Sequence, residues 1–159
     1  MIALKAGLSG VLLALAVAGQ AVASDLDMFM WPGRGAADGD YENGAKAARA
    51  GDWPLSLHYL KRSVARNPQN ADALTLFALS HRKLGRVERA MRLYEAALAI
   101  EPDHRMANFL AGSTYLAGGN LVKARERQAN LTVLCPKGCP ELGALERAIA
   151  EFKRQRPGS

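Results

Sequence analysis

The sequence predicts an all-α solenoid of stacked helical hairpins. Two observations carry this, and a third closes the chain. Pro68, Pro102 and Pro136 are spaced by 34 residues, and Gly51, Gly85 and Gly119 keep the same interval. Beyond the last proline, Leu142, Leu145, Ile149 and Phe152 recur at helical spacing, as a final apolar stripe.

The first 23 residues read as an address and are set aside. Lys5 gives a short basic start, Val11 to Ala18 an unbroken apolar stretch, and Ala21-Val22-Ala23 the small-x-small pattern of a signal-peptidase site. Cleavage there leaves Ser24 first and predicts export to the bacterial periplasm. An uncleaved anchor is the alternative, but Gly7, Ser9, Gly10, Gly19 and Gln20 interrupt the apolar stretch. No later stretch reaches spanning length, so no stable membrane insertion of the mature chain is expected. Residues 24–36 read as a flexible segment in which Met28-Phe29-Met30-Trp31 lies among acidic residues and glycines. Such a strip either docks on the chain's own first hairpins or serves as an external recognition arm.

Three units follow, over residues 37–70, 71–104 and 105–138. In each, the glycine ends a first helix in a left-handed cap that disfavours a Cβ. The proline stops the second helix, because it cannot continue the hydrogen-bond ladder. Residues 139–156 form a helix that covers the apolar end of the stack, and 157–159 a short tail.

By position, the middle unit resembles the tetratricopeptide repeat: Leu74, Phe77, Ala78, His81, Ala90, Tyr94, Ala97 and Pro102 stand at the family's packing sites, with histidine in place of the usual tyrosine. The first unit keeps Gly44, Ser56, Leu60, Ser63 and Pro68 but puts Asp40 and Asn43 at apolar positions. The third keeps Gly112, Tyr115, Gly119, Ala124 and Pro136 but puts Asn108 and Gln128 there. The resemblance implies a protein-interaction scaffold whose first helices line a concave groove. Carried across, the groove positions include Tyr41 and Arg49, then Thr75, Leu79, Arg82 and Lys83, then Met106, Phe109 and Leu116. The surface they imply is apolar with a basic margin, suited to a protein or peptide partner. Some members clamp chaperone tails with lysine, asparagine and arginine, but Tyr41, Ala45 and Leu79 stand where polar clamp residues belong.

The formal charge of +6 falls to +5 once Lys5 is removed, and it is dispersed along the helices. Dispersed charge keeps a protein soluble more than it builds an anion site. Export and the lack of aromatic-basic interleaving argue against nucleic acid. Cys135 and Cys139, in Cys-Pro-Lys-Gly-Cys-Pro, are expected to form a disulfide in an oxidising compartment. A copper- or thiol-handling pair is the alternative, although His58, His81 and His104 offer no recommended third ligand. No phosphate loop, nucleophile elbow or helical histidine pair is present, so neither enzyme activity nor a cofactor is expected.

Overall fold

The computed structural model describes residues 38–156. The proposed signal peptide (1–23), the segment 24–36 with its Met28 to Trp31 strip, and the tail 157–159 lie outside the described residues. Within them the chain forms α1 (Gly39–Arg49), α2 (Trp53–Arg66), α3 (Ala71–Lys83), α4 (Val87–Ile100), α5 (Arg105–Ala117), α6 (Leu121–Leu134) and α7 (Pro140–Gln155). Paired in order, the first six make three antiparallel hairpins, and α7 packs on the last of them. This is the helical-repeat solenoid with a capping helix that the sequence predicts.

The hairpin turns show why the glycines keep their period. Gly51, Gly85 and Gly119 have φ of 74°, 76° and 79°, in the left-handed region. Each glycine N–H donates to the carbonyl three residues back, on Ala48, Arg82 and Leu116, at 3.0, 3.0 and 2.9 Å. The next N–H reaches five residues back, from Asp52, Arg86 and Asn120 to Ala47, His81 and Tyr115, at 2.9, 2.9 and 2.8 Å. These are Schellman caps, which satisfy the carbonyls left over at each helix end.

The helix starts are capped by side chains at the same period. Asp52 accepts from the Leu55 N–H and Asn120 from the Lys123 N–H, both at 3.0 Å. Asn70 accepts from Ala73 at 3.0 Å and the Nδ1 of His104 from Ala107 at 3.1 Å. Because Nδ1 accepts, the neutral His104 ring carries its proton on Nε2, which donates to Asp72 at 2.9 Å and ties α5 to α3. Within the three hairpins the second helix of the central one breaks the pattern: Arg86, equivalent to Asp52 and Asn120, makes no side-chain cap, and neither does Cys139 at the start of α7.

The polar residues Asp40 and Asn108, at apolar positions, are explained by the partners they find. Asp40 is buried and meets Arg62 at 3.2 Å and also Arg66, both on α2. Asp38 caps α1, accepts from the Ser63 hydroxyl at 2.5 Å and pairs with Arg66. Fully buried Asn108 donates to the carbonyls of Pro102 and His104 at 3.0 and 3.1 Å, holding the turn before α5. Ser56 and Ser80 share a buried hydrogen bond of 2.9 Å between α2 and α3. The apolar part of the core is centred on Leu60, Tyr94, Leu131 and Leu145.

Cys135 and Cys139 form a disulfide with their Cα atoms 5.7 Å apart. Cys135 closes α6 and Cys139 precedes Pro140, the first residue of α7, so the bridge joins the last repeat helix to the cap. Between them, Gly138 at φ 85° donates its N–H to the Cys135 carbonyl at 2.8 Å.

Two stability outcomes follow from these ends. Arg86→Asn restores the missing cap and should raise the unfolding free energy by about 1 kcal/mol, read from the urea midpoint. Replacing both Cys135 and Cys139 with serine should lower it by about 2 kcal/mol, the chain-entropy value for so short a loop. Hydrogen exchange should show the loss first in α7.

Candidate concave docking surface

The first helices α1, α3 and α5 lie side by side, so residues 34 apart form rows across them. One row is Tyr41, Thr75 and Phe109, another joins Arg82 to Leu116, and a third joins Arg49 to Lys83. Five of the nine sequence-predicted groove residues are buried: Tyr41, Thr75, Leu79, Phe109 and Leu116. Arg49 is exposed, while Arg82, Lys83 and Met106 are half-buried. The structure thus divides the set into an apolar floor and a margin that reaches solvent.

The floor is built for packing more than for hydrogen bonding. The Thr75 hydroxyl is taken by the Ala71 carbonyl at 2.7 Å. Burial, reinforced by nearby Asp72, pushes the Tyr41 phenol far above its ordinary pKa, so it stays protonated. Leu79 and Phe109 supply aliphatic and aromatic surface in neighbouring rows.

The margin is polarised along the helix axes. Arg49, Arg82 and Lys83 occupy the last turns of α1 and α3, where a cation meets the negative end of the helix dipole. Lys83 also sits 5.6 Å over the Trp53 ring, a cation–π contact that sets its direction. At the opposite ends, Asp40 and Asp72 stand in the first turns. Asp40 is held by Arg62 and Arg66, and Asp72 by His104. Both acids are therefore engaged within the fold, Asp40 by ion pairs and Asp72 by a hydrogen bond, and the basic end reaches solvent. Sequence reasoning identified the basic margin but missed its separation from the acids, which depends on pairings between different hairpins.

His81, at the tyrosine position of the middle repeat, is buried edge-on to Phe77 with ring centroids 4.7 Å apart. Neither ring nitrogen has a hydrogen-bond partner. Burial, with added repulsion from Arg86 and Arg89, lowers its pKa below the ordinary 6.5. Among the described residues, no group of three or more His, Cys, Asp or Glu is placed to hold a metal ion. No described helix is long and apolar enough to cross a membrane.

Residues 47–111 match the family model described as tetratricopeptide repeat. The second such domain of human RPAP3, solved with an HSP70 peptide, is 18% identical with a TM-score of 0.63, covering 72% of this chain and 92% of that one. The TPR2B domain of yeast Sti1, in a pHsp70 complex, is 16% identical with a TM-score of 0.67, over 74% of this chain and 95% of that one. The Yersinia enterocolitica secretion chaperone SycD, with a peptide of the translocator YopD, is 13% identical with a TM-score of 0.62, over 73% and 88%. At these identities the likeness is one of fold. No curated protein matches the chain in sequence.

Because His81 is buried neutral, the unfolded chain takes up its proton at a higher pH than the folded one. Stability from this site is complete above the unfolded value near 6.5 and falls as pH drops below it. The melting temperature should therefore decline between pH 7.5 and pH 5, and decline less in His81→Tyr, as followed by circular dichroism.

Proposed function

Because residues 47–111 match the tetratricopeptide-repeat model and the fold is that of such domains, we propose that this chain is a non-enzymatic scaffold that holds a peptide or protein partner on the concave face of α1, α3 and α5. The observation that carries this reading is the surface itself: a buried floor of Tyr41, Leu79, Phe109 and Leu116 beneath the solvent-reaching Arg49, Arg82, Lys83 and Met106. Its structural neighbours support the reading, since RPAP3 and Sti1 were solved with Hsp70 ligands and SycD with a YopD peptide.

The partner proposed here is not a chaperone tail. The apolar Tyr41, Ala45 and Leu79 do not supply the polar clamp, and the basic groups gather at one end of the helices. An acidic or C-terminal group of the partner would meet Arg49 and Arg82, whose guanidinium groups allow bidentate pairing. Its apolar side chains would lie toward Met106 and Phe109. The work site is the periplasm, supported by the leader-like pattern of Lys5, the Val11 to Ala18 stretch and Ala21-Val22-Ala23.

Affinity capture from periplasmic extract tests this reading, comparing the wild type with Arg49→Glu/Arg82→Glu and with Met106→Asp. Recovery of the specific partner should fall at least tenfold in both variants while their circular dichroism is unchanged. Equal recovery by folded variants would refute the groove.

A further inference from the structure

A second surface lies on the outer side of the stack, where the repeat pattern is interrupted. In the second helix of each hairpin, two positions face the next hairpin along the stack. At the first stand Leu60 and Tyr94, both fully buried; at the second stand Val64, half-buried, and Leu98, buried. The third hairpin places Gln128 and Thr132 there, and the half-buried Leu57 and Met91 give way to exposed Arg125. A face that is apolar twice becomes polar and cationic the third time.

The capping helix does not close over that face. α7 leans on α5 more extensively than α3 leans on α1 or α5 on α3. Leu145 packs directly onto Gly112, where a Cβ would come within 2.8 Å of its Cδ2. With α7 drawn toward α5, an open cleft of about 520 Å³ remains between α6 and α7. Ala129 and Ile149 supply its apolar part, Arg125 and Lys153 its charge, and Gln128 and Thr132 its remaining lining.

No acid lines the cleft, and neither cation has a carboxylate partner among the described residues. Glu151, close to Lys153 along α7, is already held by Arg154 and Gln155. The Thr132 hydroxyl is turned back to the Gln128 backbone carbonyl at 3.0 Å.

We propose that this cleft is a second docking site, separate from the concave face, which takes an acidic peptide segment of a partner protein. An aliphatic side chain of the segment rests on Ala129 and Ile149. Carboxylates on either side of it reach Arg125 and Lys153, and Gln128 bonds the segment's backbone. A purely apolar segment would strip water from two cations without pairing them, and a basic one would be repelled. Ion pairs at so open a site are individually weak and are screened by salt, so the contact is a transient one.

The test titrates the isotope-labelled protein with a short amphipathic peptide of leucines and glutamates, followed by amide chemical shifts. Shifts should cluster at Arg125, Gln128, Ala129, Thr132, Ile149 and Lys153, and weaken as salt is raised. Arg125→Glu/Lys153→Glu should weaken the binding read at these cleft amides at least tenfold, while Arg49→Glu/Arg82→Glu leaves the binding read there unchanged. That second variant separates this site from the concave one, so either can fail without the other. No shift up to about 1 mM peptide, binding that survives the cleft variant, or equal binding of a lysine-for-glutamate control peptide would overturn the proposal. So would binding to phosphatidylglycerol vesicles through these residues with no response to the peptide.

Discussion

Each hairpin depends on one backbone conformation, the left-handed glycine at residues 51, 85 and 119. With φ positive there, two successive N–H groups fold back onto the end of the first helix, and the second helix starts antiparallel within a few residues. Everything downstream inherits that geometry. Gly44 comes so close to Leu60 that a Cβ would sit 2.7 Å from its Cγ, and a Cβ on Gly112 would come 3.2 Å from that of Arg127 on α6. The small residues are thus a consequence of the turn, because a turn this tight brings the helix axes together.

This dependence explains what was legible in the chain beforehand. A backbone constraint admits few residue types, so glycines and prolines recur at a fixed interval and announce the hairpins. The capping helix was legible for a similar reason, since its buried Leu142, Leu145 and Ile149 keep helical spacing. Asp40 and Asn108 looked like lapses in the pattern because their compensation lies elsewhere. Asp40 is neutralised by Arg62 and Arg66 on the following helix, and Asn108 spends its amide on carbonyls around Pro102 and His104. Neither partner follows from periodicity.

The two candidate surfaces differ in the same way. The concave positions could be counted off from the repeat register, although which of them form floor and which form rim depends on burial. The cleft beside α6 could not be counted off. It exists because α7 sits nearer to α5 than a further repeat would, and the lean of a terminal helix leaves no mark in a 34-residue period. Gln128 was visible as a polar residue at an apolar position, but only the packing of Leu145 on Gly112 shows that it borders open space.

The fastenings at the two ends of the stack are chemically unlike, and this gives the protein two independent weak points. At the front, partial burial works against the Asp38 charge, but bonds from Ser63 and Arg66 outweigh it and keep its carboxyl below the usual range. That fastening holds above the unfolded carboxylate value and is lost as pH falls through the lower folded one. At the back, the Cys135–Cys139 bridge is indifferent to such protonation and yields to reductant instead. Strong acid therefore releases the first hairpin, after milder acid has already strained the central one at His81, whereas reduction releases the last helix. An array whose units touch only their neighbours will open at different places under the two stresses.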